Sequence, residues 1–394
     1  MRTLKLLGLG LGVAVAFGLT LVATDVTFWQ RLVTLPMQHI VTATEWYSPR
    51  TSVAGAASSP EFAVAAPNER QISAAALQAA LRYAQARPTV ALLVYHAGRI
   101  ELEYYGAGFS QSSRTDSQSM HKSVLALLVG IAVNDGFIRS IEDPIGRYIP
   151  EWVGDPRGAI PVRSLLQMAS GLEQVQTSLN PFSPGLQLFL ASHRRPKLLQ
   201  VHSIRRPDQE FDYNPINSEL LGTILEHATG RPYSNYLSER LWQPLGAANA
   251  YLWPDHAGGL VHTSCCLQAT ARDWLRLGLL VMNRGTVGER QLVPAAWMDA
   301  MLASSPHNPN YGYQIWLGRQ FTRERRYTAA SPARALHSEP FVAADVVYFD
   351  GAGGQRVYVV PSAQLVIIHT GDATTDWDDA FLTNTLVRGL APQT

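Results

Sequence analysis

Ser119-Met120-His121-Lys122-Ser123-Val124-Leu125-Ala126-Leu127-Leu128-Val129-Gly130-Ile131-Ala132-Val133 is the stretch on which the reading of the whole chain turns. From Val124 on it is apolar on nearly every side and stops at Asn134-Asp135-Gly136. A helix without a polar face is a buried helix, and glycine just past the last apolar residue is a common stop. Ser119 and Lys122 stand three residues apart at its mouth, a spacing that puts both side chains on one face. His121 falls on another face and reads as a packing or surface histidine rather than a base. The chain has 32 basic residues, of which only Lys5, Lys122 and Lys197 are lysine. Lysine is therefore a choice at position 122. A partly desolvated lysine can lose its proton and act as a base, whereas arginine stays charged.

The 394 residues allow a large core in one or two domains, and a net charge of +1 makes nucleic acid a poor partner. Cys265 and Cys266 are the two cysteines. A bridge between neighbours would be strained, so they are expected as two buried thiols. No His, Asp and Glu cluster has ligand spacing, so no metal or other cofactor is expected. Arg2 and Lys5 precede Leu6 to Ala23, an uncharged apolar run just long enough to span a bilayer. Basic residues on that flank put the N-terminus in the cytoplasm. An uncleaved inner-membrane anchor with the body in the periplasm is expected, with cleavage and secretion as the alternative.

The expected organisation is an anchor or signal segment at 1–26, a linker at 27–67 rich in small residues, and a globular domain at 68–394. Ile72 to Arg87 reads as an amphipathic helix. Val90 to His96 and Arg99 to Tyr105 read as a hairpin about Ala97-Gly98. Helices are expected over Val162 to Met168, Asn217 to Thr229, Ser234 to Leu241, Thr270 to Asn283 and Pro294 to Leu302. Leu172 to Pro207 has weak periodicity and reads as a lid or site wall. Asp345 to Phe349, Arg356 to Val360 and Leu365 to His369 are strands, and Asp376 to Leu390 closes as a helix. The fold class is α/β in the α+β sense. One antiparallel sheet is assembled from both ends of the chain, and a helical subdomain over roughly 120–310 is inserted in it.

Ser-x-x-Lys by itself is a weak signal. Three further stretches join it: Gly130 to Gly136, Glu142-Asp-Pro-Ile-Gly-Arg-Tyr-Ile-Pro-Glu-Trp152, and Leu165-Leu-Gln-Met-Ala-Ser-Gly-Leu172. Together the chain resembles the serine β-lactamase and penicillin-binding superfamily. It is most similar to the class C-like branch with family VIII carboxylesterases and 6-aminohexanoate-oligomer hydrolases. Cys266 to Asp273 and Tyr311-Gly-Tyr-Gln-Ile-Trp316 continue the likeness, which runs from about residue 70 to the end. It implies a β-lactamase/transpeptidase-like fold, Ser119 as nucleophile, Lys122 as its base and Tyr213 as the phenol that relays the leaving group's proton.

The family's Tyr-x-Asn motif here reads Tyr213-Asn214-Pro215. Pro215 replaces the asparagine that binds the substrate amide, and Asn214 or Asn217 is the expected substitute. The Lys-Thr-Gly motif becomes Phe349-Asp350-Gly351, leading into Ala352-Gly353-Gly354-Gln355. The resemblance implies an oxyanion hole from the Ser119 and Ala352 backbone N–H groups, with Gly351 and Gln355 beside substrate. The lost Lys and Thr bind carboxylates in relatives, and Asp350 is expected to repel an anion. A neutral or amine-bearing ester or amide is the expected small-molecule substrate. The alternatives are a β-lactamase or D,D-peptidase and an inactive ligand-binding module. Oligomeric state is open.

Overall fold

The computed structural model describes residues 25–175, 178–328 and 334–390. Its centre is a six-stranded antiparallel sheet in the order Arg99–Tyr105, Thr89–His96, Leu365–Gly371, Gln355–Val360, Val347–Gly351 and Trp316–Leu317. The N-terminal hairpin pairs with the last strand, with Leu93 opposite Ile368, so the two chain ends close one sheet as expected. Helices cover both faces. Val366 and Ile368 join the core under the helix Ala271–Met282, while Leu365 and Ile367 face the helices Ala74–Gln85 and Asp379–Arg388. This period-two division is what a strand buried on both sides requires.

The Ser119 helix spans His121–Asn134 and follows a 3-10 turn at Gln118–Met120 that carries the serine. Every residue from His121 to Ala132 is buried. The helix Pro215–Thr229 packs beside it and ends at Gly230 in the left-handed region, φ 64°. Leucine and isoleucine side chains on these helices contribute about 1.5–3 kcal/mol each on burial.

One expectation is corrected. The stretch 27–67 is not a bare linker. It contributes the helix Val26–Val33 and the strand Thr51–Val53, whose Val53 is fully buried. Arg31 on that helix donates to the carbonyls of Leu190, Ala191, Ser48 and Asp255 at 2.9–3.3 Å, fastening the segment to the body. Thr51–Val53 also begins a second antiparallel sheet, ordered Thr51–Val53, Ala250–Leu252, Leu267–Thr270 and Arg114–Asp116. Strands of three or four residues carry too little pattern to be read as strands. The region expected as a site wall holds the helices Pro184–Leu190 and Arg195–Leu199. Leu6 to Ala23, the expected anchor, lies outside the described residues, and no described helix is long and apolar enough to cross a membrane.

Candidate active site

Lys122 Nζ lies 2.8 Å from Ser119 Oγ and donates to the Ser264 carbonyl oxygen at 2.6 Å. The local spacing brings the first pair together. The second partner arrives from 142 residues away. Burial pulls the Lys122 pKa down to about 7, against the pull of Glu219 and Asp350, which raise it. An amine with that pKa is neutral in part at neutral pH. With one N–H spent on Ser264, its lone pair can face the Ser119 hydroxyl.

Ser264 is itself held. Its hydroxyl donates to Glu219 Oε1 at 2.6 Å and its amide donates to the same oxygen at 3.2 Å. Glu219 pairs with Arg194 at 2.8 Å, both side chains buried. The arginine and the serine bonds keep the Glu219 pKa low although burial pushes it up. Neither residue was singled out from the sequence. Glu219 is an acidic residue in the mostly apolar run after Asn217, a signal that could have been read; Arg194 carried none.

Tyr213 enters from the loop before the helix Pro215–Thr229. Its ring centroid is 5.2 Å from Lys122 Nζ, and 5.3–6.1 Å from the rings of Tyr327, Trp316 and Tyr311. Burial, with Asp350 adding to it, raises the Tyr213 pKa above the usual phenol value, while hydrogen bonding with Ser119 works the other way. Tyr213 is a neutral phenol at rest.

Pro215 has a structural explanation. It is the first residue of its helix, where a missing N–H costs nothing. Asn214 caps that helix by accepting from the Ile216 amide at 3.1 Å, and donates to the carbonyls of Leu172 and Glu173. It is therefore occupied and does not replace the family asparagine. Asn217 is buried, its amide nitrogen 3.4 Å from Met168 Sδ; its carbonyl oxygen has no hydrogen-bond partner among the described residues.

At the strand end, a Cβ on Gly351 would lie 2.5 Å from the Ser117 carbonyl oxygen. Only glycine lets the strand come this close to the nucleophile's segment. Ala352 opens the exposed turn that follows. Gln355 is corrected: it is fully buried, donating to the Gly371 carbonyl and accepting from the Gly371 amide at 3.1 Å. It ties two strands together and is not available to substrate. Asp350 does not stand as a bare anion either. Its two oxygens meet Arg325 and Arg356, each at 2.6 Å, and Asp379 balances the second positive charge. Burial made it affordable only as a neutral quartet.

His121 is fully buried, with Nδ1 2.7 Å from the Cys265 carbonyl and Nε2 2.9 Å from the Tyr233 hydroxyl. Burial lowers its pKa to about 4. Cys265 and Cys266 are not two thiols. They form a disulfide, with Cys266 buried and Cys265 partly exposed.

The site thus presents a serine in contact with a buried lysine, with a glycine strand drawn close beside them. The Beta-lactamase family model matches residues 69–386. The chain belongs to the Beta-lactamase family. Among curated relatives, the 6-aminohexanoate-dimer hydrolase of Paenarthrobacter ureafaciens is 24% identical over 300 residues, 71% of each chain. Among solved structures, a Bacillus anthracis protein provisionally named a 6-aminohexanoate-dimer hydrolase aligns with a TM-score of 0.72 at 21% identity, covering 91% of this chain and 94% of that one. EstCE1, described as a hydrolase with promiscuous acyltransferase activity, aligns with a TM-score of 0.61 at 15% identity over 80% and 97% of the two chains. The fold expected of a β-lactamase/transpeptidase-like protein is the fold observed.

Proposed function

We propose that this chain is a serine hydrolase that cleaves ester or amide bonds of small molecules through an acyl-enzyme on Ser119. The observation that carries this reading is the 2.8 Å contact between Ser119 Oγ and a lysine whose pKa lies about 7. A serine hydroxyl needs an adjacent base to become a useful nucleophile, and a base poised near the working pH serves best. Lys122 takes the Ser119 proton as Oγ attacks the carbonyl carbon. The N–H groups of Ser119 and Ala352 receive the oxyanion, each worth about 3–4 kcal/mol if well aimed. When the tetrahedral adduct collapses, the Tyr213 phenol protonates the leaving group and regains a proton from the Lys122 ammonium. Water then enters and attacks the acyl carbon while the Lys122 amine, with Tyr213 as relay, takes its proton; as the C–Oγ bond breaks and the acid leaves, that proton passes to Ser119 Oγ.

The names of the relatives support an amide or ester substrate. Against a β-lactam or stem peptide stands the pair Phe349 and Asp350, where relatives of that kind offer donors to a carboxylate. Phe349 is buried in the core, and both Asp350 oxygens are engaged by arginine, so neither residue donates. The reason is absence of a donor, since the quartet leaves no net negative charge to repel an anion. A fluorophosphonate probe should label Ser119, and Ser119→Ala should abolish turnover of short nitrophenyl esters and of a linear amide dimer. Turnover that survives Ser119→Ala ends this mechanism. A chromogenic cephalosporin turned over as fast as the esters would move the reading to a β-lactamase.

The apolar run Leu6 to Ala23 and its basic flank support an inner-membrane anchor with the body in the periplasm. The disulfide supports an oxidising compartment. Protease added to intact spheroplasts should digest the body; protection would refute this placement.

A further inference from the structure

Residues 264–267 grip the nucleophile's segment at successive points. Ser264 O accepts from Lys122 Nζ at 2.6 Å, and Cys265 O lies 2.7 Å from His121 Nδ1. Leu267 O accepts from the Ser117 amide at 3.0 Å, and the Leu267 amide donates to Ser117 Oγ at 3.1 Å. The disulfide sits in the middle of this grip. Cys266 has φ +73°, a region a side-chain-bearing residue adopts at a cost of about 1–3 kcal/mol.

A disulfide stabilises a fold chiefly by closing a loop, and more for longer loops. Cys265 and Cys266 are adjacent, so this one closes no loop and joins no separate elements. What it does constrain is the single peptide between them, and with it the direction of that peptide's own carbonyl, Cys265 O, which meets His121. The Ser264 carbonyl that meets Lys122 belongs to the peptide just before, joined to the ring at the Cys265 Cα.

Resting on the serine hydrolase reading above, we propose that the Cys265–Cys266 disulfide is a positioning element for proton transfer: it fixes the Ser264 and Cys265 carbonyls where Lys122 and His121 meet them, and so keeps the Lys122 amine aimed at Ser119 Oγ. Opened by a dithiol reductant, the disulfide takes two electrons and two protons and becomes two thiols, while the reductant becomes its own cyclic disulfide. No other bond changes. The turn is then free to leave its left-handed conformation, and Lys122 loses a fixed acceptor. The other groups that face Lys122 stay in place: Ser119 on its own segment, Tyr213 and Glu219 about the neighbouring helix, and Asp350 on the strand. The amine's titration is then set by Glu219 and Asp350 without an oriented Ser264 carbonyl.

The test uses the full chain, air-oxidised, dithiothreitol-reduced and reoxidised, together with Cys265→Ser, on a nitrophenyl ester across pH, with thermal melting alongside. Reduction should lower kcat by about a hundredfold, the order expected when a reacting group moves by ~1 Å. KM should change by less than about threefold, the pattern for an interaction made in the transition state. The rising limb of kcat/KM should move along the pH axis, melting should barely shift, and reoxidation should restore the original profile. Cys265→Ser should behave as the reduced protein does. An unchanged kcat in the reduced, folded protein overturns the proposal. So does a lost kcat with an unmoved pH limb, or unfolding on reduction, since either makes the bond a structural staple. Failure of the underlying hydrolase reading would look different: the oxidised protein itself would not be labelled at Ser119.

Discussion

Ser264 gives both its hydroxyl and its amide to a single oxygen of Glu219, at 2.6 and 3.2 Å, and turns its carbonyl to Lys122. A buried carboxylate thus reaches the base through one intervening residue. Glu219 depends in turn on Arg194.

Breaking that ion pair should be costly. Arg194→Met leaves Glu219 buried without its cation, and removing one partner of a buried pair costs about 3–5 kcal/mol. Urea unfolding should show a lower midpoint with little change in slope, the extrapolated unfolding free energy falling by that amount. As a control, Arg284→Ala breaks an exposed pair with Asp299 and should cost less than about 1 kcal/mol. Equal effects from the two substitutions would refute the role given to the buried pair.

Lys122→Arg keeps the positive charge and removes the proposed base. Arginine does not give up its proton near neutral pH, so kcat/KM should fall by about 10²–10⁴, the usual contribution of general base catalysis. The folded state should be checked by circular dichroism. A variant within tenfold of wild type would show that something other than Lys122 takes the proton.

Activity should rise with pH. In the proposed mechanism the working form of Lys122 is the neutral amine, and its pKa is lowered to about 7. Below that value the amine is protonated and kcat/KM should fall tenfold per pH unit; above it the rate should level off. Stability carries the same sign. The unfolded lysine holds its proton up to about 10.4, so between roughly pH 7 and 10 the unfolded state binds more protons and this group's contribution favours the fold as pH rises. A pH–rate profile flat between pH 5.5 and 8.5 would count against Lys122 as the base.

Gly351→Ala should damage both fold and catalysis. The added Cβ would meet the Ser117 carbonyl at 2.5 Å, and Gln355 Cβ at 2.7 Å. Backbone cannot swing aside as a flexible side chain does, so a loss of about 1–3 kcal/mol is expected, with a fall in kcat because the turn at Ala352 moves with it. Differential scanning calorimetry and ester kinetics read the two effects. The exposed Gly288→Ala, with open space around it, should leave ester turnover unchanged.

Much of the frame was readable. The hairpin Thr89–His96 with Arg99–Tyr105 and the three late strands were legible because alternation and turn residues are local signals. The apolar periodicity of Trp274, Leu275, Leu277, Leu279, Leu280 and Met282 marked the helix Ala271–Met282 in the same way. The second sheet was hidden by strands too short to carry a period. The arginines that neutralise Asp350 were hidden for another reason: Arg325 lies on a short strand with no pattern, and its partner is 25 residues on. The disulfide was hidden because two neighbouring cysteines look the same in a sequence whether bridged or free.

That Ser119 and Lys122 would meet follows from local spacing, since three residues of helical backbone bring their side chains together whatever surrounds them. That the helix behind them would be buried follows from its apolar run. What that pair can do depends on long-range packing. The Lys122 pKa is set by loss of water and by charges on Glu219 and Asp350, and its aim by a carbonyl 142 residues away. Tyr213 stays neutral and Gln355 is taken up between strands for the same reason. Spacing along the chain fixes which side chains are neighbours on one element, while desolvation and hydrogen-bond partners come from segments that only folding brings near.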